Sequence, residues 1–435
     1  MLDWPLLEGP IRTLLQVGAA SLVAWLLIRL FGAPRPLSWK AALVAAGSVL
    51  AVAVTWLGQF VARHVLVLFP DRLTASVYVW VGIGLFVVCL GIGLAVIEQR
   101  RRLKVTALAA CAVAVLACAN QVNATFGAYP TVRYALGIAH PDDIALPASR
   151  TRTLVSTADR SLESQWERPA DLDSRGKITT AVIPGSLSSF AARPAKIYLP
   201  PAYFAPLPPR LPVLILLTGQ PGTPQDWLGA GRLSAVMDSF AAEHHGLAPV
   251  VVVPDPTGGP LADPLCLDSR RGKADSYLAV DVPRWISAKI TVAQHHSAWS
   301  VAGASYGGTC ALQLATNHPD VYPTFLDIAG SVEPTLGDRN RTVAEAFGGD
   351  FTAFERINPL TLLGSRRYPD SAGAVVAGTS DAEARVDGRR IVQAGKTAGM
   401  QIHLIELPGA HDWRLFSSAL RHELPFLARK IGLID

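Results

Sequence analysis

The five residues Gly303-Ala304-Ser305-Tyr306-Gly307 have the spacing G-x-S-x-G, which exposes a serine as a nucleophile when it lies between a strand and a helix. An apolar run at residues 299–302 precedes the motif, and a helical pattern at residues 309–316 follows it. The glycines permit a sharp turn, and the N-terminus of the following helix stabilises negative charge that develops beside the serine. The pattern therefore predicts that Ser305 attacks a carbonyl carbon.

A serine hydroxyl needs a base that takes its proton, and the base needs an acceptor that fixes its tautomer. Residues 374–377 are predicted to form a strand that ends shortly before Asp381. Residues 401–407 are predicted to form another strand, which ends before His411. The chain order Ser, Asp, His is the one that accompanies this motif in open parallel sheets. We therefore expect His411 to be the base and Asp381 the acid.

Other carboxylates and histidines compete for these roles. Glu383 lies two residues after Asp381 and stays an alternative acid. Asp327 falls inside a predicted strand at residues 325–328, where a buried, hydrogen-bonded carboxylate is the expected role. Two pairs of histidines lie on polar segments, His244-His245 and His295-His296, and His403 lies inside a predicted strand. Neither pair has a third metal ligand nearby, so we expect no metal and no cofactor.

Acyl transfer also requires backbone N–H groups that hold the oxyanion of the tetrahedral intermediate. The residue after the nucleophile, Tyr306, supplies the first of them. The second comes from the loop after an early strand, which here is Thr218-Gly219-Gln220-Pro221-Gly222 after the apolar run 213–217. Gln220 is the expected donor, and an ordinary Gly-Pro turn is the alternative.

These candidates all follow short apolar runs, which must form the framework of the domain. The runs are bounded by Pro, Gly or Asp and alternate with amphipathic segments, a pattern typical of strands buried on both faces of a mainly parallel sheet. We therefore predict an α/β domain over residues 177–435, with helices on both faces of the sheet. The further runs are residues 195–199, 250–253 and 325–328.

Three stretches resemble a known family of esterases: residues 212–227 (PVLILLTGQPGTPQDW), 300–312 (SVAGASYGGTCAL) and 407–413 (LPGAHDW). That family includes S-formylglutathione hydrolases, feruloyl esterases and the mycolyltransferases of mycobacterial envelopes. The resemblance covers about residues 177–435. It implies an α/β-hydrolase fold that acts on a carboxylic ester, by hydrolysis or by acyl transfer. It also implies a triad of Ser305, Asp381 and His411, with Gln220 and Tyr306 as oxyanion donors.

The first 120 residues have a different composition. They hold ten Lys or Arg against four Asp or Glu, whereas the rest of the chain is nearly neutral. Residues 41–61 and Ala75–Ile97 carry no charge, and residues 11–31 and 103–122 carry charges only near their ends. Each run is about as long as a helix needs to cross a hydrocarbon core of roughly 30 Å. We predict a transmembrane domain of four spans at residues 1–120, followed by a tether at residues 121–176.

The basic cluster Arg100-Arg101-Arg102-Leu103-Lys104 predicts the orientation, because Lys and Arg in short loops stay on the cytoplasmic side. The catalytic domain is then extracytoplasmic. Because the basic excess belongs to these loops, nucleic-acid binding loses its support. The spans hold no carboxylate, Lys or Arg at mid-depth, which favours an anchor over a transporter. A lipid-handling membrane protein and a non-catalytic envelope binding module stay open as alternatives to an enzyme whose substrate is a lipid or small-molecule ester.

The five cysteines divide between the two regions. Cys89, Cys111 and Cys118 lie in the predicted spans, whereas Cys266 and Cys310 lie in the outer domain. A disulfide between the last two would fix a loop near the nucleophile, at residues 255–276, to the helix that follows Ser305. Two buried free thiols are the alternative, because the sequence does not fix the distance between their Cα atoms.

Overall fold

The computed structural model describes residues 2–65, 74–138, 143–149, 153 and 160–435. The chain divides into two compact units, Met1–Ala139 and His140–Asp435. The segment predicted as a tether, residues 121–176, falls partly outside the described residues.

The first unit contains the four predicted helices, each of which is long and apolar enough to cross a membrane. The first helix begins at a proline, whose missing N–H costs nothing at that position. The fourth ends where Gly127 takes a left-handed conformation, with φ of 68°. The helices are α1 (Pro10–Gly32), α2 (Leu37–Phe60), α3 (Ala75–Ile97) and α4 (Arg101–Phe126), followed by the short α5 (Val132–Ala135).

Small residues bring these helices together. Ala107 and Ala110 of α4 are fully buried and pack in one cluster with Leu94 of α3. At Gly91 of α3 a Cβ atom would overlap the Sγ of Cys111, so only glycine permits this approach. Close packing of small residues is a usual basis of association between apolar helices in lipid, where the hydrophobic effect does not drive the helices together.

The segment before α1 is bound to the segment after α4. The Arg133 N–H donates to the carbonyl oxygen of Leu2 at 2.7 Å, and the Leu6 N–H donates to that of Pro130 at 2.9 Å. Arg133 also forms an ion pair with Asp3 at 2.7 Å. The N-terminus and the end of α4 therefore lie at one end of the bundle, and Arg100, Arg101 and Arg102, where α4 begins, lie at the other.

The second unit is built on a sheet that has, among the described residues, nine strands in the order β1-β2-β3-β5-β4-β8-β9-β10-β11. β3 is antiparallel to both of its neighbours, and every other pair is parallel. The predicted α/β class with a mainly parallel sheet is confirmed. The strands are β1 (Asp143–Ile144), β2 (Lys177–Ala181), β3 (Ala195–Leu199), β4 (Val213–Leu217), β5 (Val250–Val253), β8 (Trp299–Ala304), β9 (Thr324–Ile328), β10 (Ala372–Gly378) and β11 (Gln401–Leu407), and β6 (Asp268–Ser269) and β7 (Gly272–Lys273) form a separate hairpin.

Every residue of β4, β5, β8, β9 and β10 is buried, which explains their continuous apolar sequences. The connections between strands supply the helices that cover the sheet. The helices are α6 (Gln225–Gly229), α7 (Leu233–Glu243), α8 (Ala274–Ser276), α9 (Val282–Lys289), α10 (Tyr306–Asn317), α11 (Arg339–Phe347), α12 (Phe351–Glu355), α13 (Pro359–Ser365), α14 (Ala382–Thr397) and α15 (Trp413–Lys430).

The insertion between β9 and β10 contains residues 342–354, whose apolar spacing is typical of a helix. The structure divides that stretch between α11 and α12. The break lies at Gly348 and Gly349, whose φ angles of 65° and 92° are left-handed and end the first helix.

Candidate active site

Four strand ends bring the predicted residues together. β4, β8, β10 and β11 run parallel, so their carboxyl ends lie along one edge of the sheet. Ser305 follows β8, Asp381 follows β10 and His411 follows β11. In open α/β sheets this edge is where ligands bind.

Ser305 lies on a strained turn. Its φ of 57° and ψ of −121° are rarely adopted by a residue with a side chain, and strain of this kind concentrates at functional sites. The turn is held by the Ser305 N–H, which donates to the carbonyl oxygen of Ile328 at 2.8 Å. Both motif glycines are required by space, because a Cβ at Gly303 would overlap the backbone of Gly307 and one at Gly307 would overlap that of Leu217.

Ser305, His411 and Asp381 form one chain of hydrogen bonds. His411 Nε2 lies 2.8 Å from Ser305 Oγ, and His411 Nδ1 lies 2.8 Å from Asp381 Oδ2. With the ring proton on Nδ1, Asp381 accepts from the ring and Nε2 is free to take the hydroxyl proton of Ser305. The histidine ring is one-third exposed, with a relative accessibility of 32%, so a substrate has access to it.

Asp381 is held in its ionised form. Burial by itself raises the pKa of this carboxyl, but the hydrogen bond and charge of His411 and the Ala384 N–H together lower it below its usual value. Asp381 Oδ1 accepts that N–H at 3.1 Å and so caps α14. Because the pKa of Asp381 is lower in the folded than in the unfolded protein, the ionised carboxylate stabilises the fold at neutral pH. That contribution is lost only as the pH falls through the lowered pKa.

The alternative carboxylates lie elsewhere. Glu383 is exposed in the first turn of α14. Asp327 is fully buried in β9, where its Oδ1 accepts the Gly330 N–H at 2.8 Å. Burial, helped by the charge of Asp387, raises the pKa of Asp327 to about 7.

We expect Asp327→Asn to change how stability depends on pH. The unfolded chain ionises this carboxyl near pH 3.9, and the folded chain does so only near pH 7. The native protein therefore loses stability as the pH rises between these values, by about 2–3 kcal/mol from pH 5 to pH 8. Asparagine keeps the acceptor for Gly330 and does not titrate. Unfolding of both proteins in detergent at several pH values checks this, and parallel pH curves would contradict it.

The oxyanion donors predicted from sequence flank Ser305. Tyr306 is the first residue of α10, so its N–H has no acceptor within the helix. The turn that carries Gln220 follows β4, and a Cβ at Gly219 would lie 3.5 Å from the Cβ of Ser305. The side chain of Gln220 donates to the carbonyl oxygen of Leu261 at 3.4 Å, which ties this turn to the loop after β5.

That loop is joined covalently to the nucleophile helix. Cys266 and Cys310 form a disulfide with their Cα atoms 5.5 Å apart. The Cys266 N–H donates to the hydroxyl of Tyr306 at 2.9 Å, and Gln313 Nε2 donates to the carbonyl oxygen of Leu265 at 3.0 Å. The loop is therefore fixed at the residue next to the nucleophile as well as at Cys310.

Removing the disulfide with Cys266→Ser and Cys310→Ser should destabilise the protein by about 2–4 kcal/mol, because the bond closes a loop of 44 residues. For a unit of this size the thermal midpoint should fall by roughly 5–10 °C. Thermal unfolding in detergent, with and without reductant, measures the effect. The matched control is Cys89→Ser, which removes a thiol that is not in a disulfide and should leave the response to reductant unchanged.

Sequence analysis did not identify the residues that orient the histidine ring. Phe416 packs edge-on against His411, with ring centroids 5.3 Å apart and planes at 90°. Trp413 packs against Phe416 in turn, at 5.5 Å. Asp412 caps α15 by accepting the Leu415 N–H, so Trp413 and Phe416 lie in its first turn on neighbouring positions. In the sequence, the capping aspartate and the i, i+3 spacing of the two aromatic residues were the features that could have identified them.

A mainly parallel sheet whose strand ends join a serine, a histidine and an aspartate in one hydrogen-bonded chain is the architecture of the α/β-hydrolases. The family described as "Putative esterase" matches residues 191–427. The chain belongs to this esterase family, as its sequence motifs predicted.

Individual proteins extend the likeness. The chain is 34% identical over 377 residues to an uncharacterized protein of Corynebacterium glutamicum, with 84% of each chain covered. A ferulic acid esterase structure superposes with a TM-score of 0.51 and 19% identity, over 59% of this chain and 99% of that one. The structure of an S-formylglutathione hydrolase from Agrobacterium tumefaciens superposes with a TM-score of 0.51 and 18% identity, over 61% of this chain and 100% of that one. The likeness to these two structures concerns the fold.

Proposed function

We propose that this chain is a membrane-anchored serine esterase or acyltransferase whose catalytic residues are Ser305, His411 and Asp381. The observation that carries the proposal is the hydrogen-bonded chain through His411, with 2.8 Å on either side of the imidazole. Membership in the esterase family supports the same chemistry.

In the proposed mechanism, Ser305 Oγ attacks the carbonyl carbon of an ester while His411 Nε2 takes the hydroxyl proton. The carbonyl oxygen becomes an oxyanion that accepts from the N–H groups of Tyr306 and Gln220. The intermediate collapses, the bond to the alcohol oxygen breaks, and His411 returns the proton to that oxygen. The acyl group then remains on Ser305 as an ester, and Asp381 stabilises the imidazolium in each step.

The second half of the reaction is the first half in reverse with another alcohol or with water. His411 takes a proton from the incoming hydroxyl, whose oxygen attacks the acyl carbon and releases Ser305. Water gives hydrolysis, whereas a hydroxyl of a sugar or a lipid gives acyl transfer. A ferulic acid esterase and an S-formylglutathione hydrolase from Agrobacterium tumefaciens share the fold, which supports hydrolysis as one of the two outcomes.

We further propose that α1 to α4 anchor the enzyme in the membrane with the catalytic unit outside. Their length and hydropathy support insertion. The hydrogen bonds of Leu6 and Arg133 bring the segments before α1 and after α4 to one end of the bundle, and Arg100, Arg101 and Arg102, where α4 begins, lie at the opposite end. Because positive loops stay in the cytoplasm, the chain leaves the bundle on the outer side.

The proposal is tested by the kinetics of p-nitrophenyl esters of graded chain length with detergent-solubilised protein. An acyl-enzyme that forms faster than it breaks down gives a burst of p-nitrophenolate equivalent to the enzyme present. Adding a sugar or alcohol acceptor separates the two outcomes, because only a transferase makes the new ester in preference to the free acid. Folded protein that neither turns over these esters nor reacts with a fluorophosphonate would favour a binding or lipid-handling protein instead.

A further inference from the structure

The turn that carries Gln220 has no regular secondary structure of its own. Residues 218–222 connect β4 to the segment before α6, and only contacts from other segments can fix the direction of the Gln220 N–H. An oxyanion donor must be held in place before the reaction, because its contribution depends on needing no reorganisation. A side chain that holds this turn in place therefore contributes to the stabilisation of the oxyanion.

One guanidinium reaches it. Arg193 lies just before β3, and its Nη2 donates to the carbonyl oxygen of Gly222 at 2.9 Å. The same Nη2 donates to Asp255 Oδ1 at 2.7 Å, and Nε donates to Asp255 Oδ2 at 2.9 Å. Nη2 also lies 2.8 Å from Thr257 Oγ1. Arg193 thus binds the end of the oxyanion turn and the start of the loop after β5 at once.

The partner of this guanidinium is itself fixed. Asp255 is fully buried, and it accepts the backbone N–H groups of Arg193, Thr257 and Gly258 at 2.8, 3.2 and 3.1 Å. Burial by itself raises the pKa of Asp255, but Arg193 and the Thr257 N–H lower it below its usual value, so the carboxylate is ionised when it binds the guanidinium. A buried pair with this many hydrogen bonds has one geometry.

The loop that starts at Asp255 returns to the same turn. Its Leu261 carbonyl accepts from the side chain of Gln220, and its Cys266 is bonded to Cys310 on the nucleophile helix. The turn is therefore held at Gly222 by Arg193 and at Gln220 by a loop that Arg193 also anchors.

We propose that Arg193 is a positioning residue for the oxyanion turn, whose guanidinium holds Gly222 and so directs the Gln220 N–H toward the developing oxyanion. This inference rests on the proposed esterase function. Arg193 acts through the turn and not on the reacting atoms. Because Nε and Nη2 donate from two separate nitrogens of one rigid plane, the single nitrogen of an ammonium group cannot reproduce this arrangement.

The test compares Arg193→Lys and Arg193→Met with the unmodified full chain in detergent. We expect kcat for a p-nitrophenyl ester to fall by roughly 10²-fold, the effect of losing one oxyanion donor. KM should change by less than about threefold, because the oxyanion exists only after binding. Affinity for an alkyl boronic acid, which forms a tetrahedral anion on the serine, should fall in parallel with kcat. Lysine should not restore activity.

The matched control is Lys196→Met, which removes another partly buried ion pair, between Lys196 of β3 and Asp143 of β1 at 3.1 Å. Its kcat should stay unchanged. If the Arg193 variants do not fold, Thr257→Val removes one acceptor of the guanidinium and should lower kcat at least threefold at constant KM.

Either a lysine variant with normal kcat or a rise in KM alone would overturn the inference. In the fallback, a normal kcat for Thr257→Val would do the same. An unmodified protein that shows no turnover and no fluorophosphonate labelling would instead refute the proposed function itself.

Discussion

Replacing Ser305 with alanine should lower kcat for p-nitrophenyl esters by roughly 10⁶-fold, the scale of losing the nucleophile in a serine hydrolase. Covalent labelling by a fluorophosphonate should disappear completely, because the probe reacts with the serine hydroxyl that His411 Nε2 contacts. Alanine tolerates the positive φ of the turn as poorly as serine does, so the strain is equal in both proteins.

The control for this variant is Ser380→Ala. Ser380 is exposed near the same strand ends, and its backbone N–H donates to the carbonyl oxygen of Gly409 at 2.9 Å. Labelling and turnover should match the unmodified protein, and the thermal midpoints of all three proteins should agree closely. If Ser305→Ala retained labelling while it remained folded, Ser305 would not be the nucleophile.

Replacing Asp381 with asparagine should lower kcat by about 10⁴-fold while the protein stays folded. The amide can donate to Nδ1 and so favours the tautomer with the proton on Nε2, which cannot accept from Ser305. Asparagine is as good an N-cap as aspartate, so α14 keeps its cap to Ala384 and the loss of stability should be small. Kinetics and thermal unfolding of the same preparation separate the two effects.

Glu383→Gln is the decisive companion, because Glu383 is the acid that sequence alone left open. It removes a carboxylate two residues from Asp381 that is exposed and in the same helical turn. We expect its kcat to stay within about twofold of the unmodified protein. An exposed charge at a helix N-terminus contributes only about 0.3–1 kcal/mol, and this contribution is to the stability of the helix and not to catalysis. If Glu383→Gln lost activity and Asp381→Asn kept it, the assignment of the acid would be reversed.

The framework of the site was predictable because strands in this domain are short and bounded by turn residues. The predicted strands at 195–199, 213–217, 250–253 and 401–407 coincide with β3, β4, β5 and β11. Motif residues placed directly after such strands are brought to one edge by topology, so the positions of Ser305, Asp381 and His411 followed from local pattern and fold class together.

The contacts that hold the site were less accessible from sequence. Arg193 and Asp255 are 62 residues apart, and nothing local marks them as a pair. The cysteine pair was visible, but the 5.5 Å between its Cα atoms depends on how the loop after β5 folds back over α10. Gly348 ends a helix inside a stretch whose apolar spacing is typical of one continuous helix. A glycine inside such a pattern does not by itself show where the helix ends.

The central claim is tested most directly by finding the atom that a fluorophosphonate modifies in the full-length protein, by peptide mass spectrometry after proteolysis. We expect one adduct per chain, on the peptide that contains Ser305, and protection of that peptide by a slowly hydrolysed ester. An adduct on another residue, or none on protein shown to be folded, would contradict the assignment of Ser305, His411 and Asp381 as a catalytic triad.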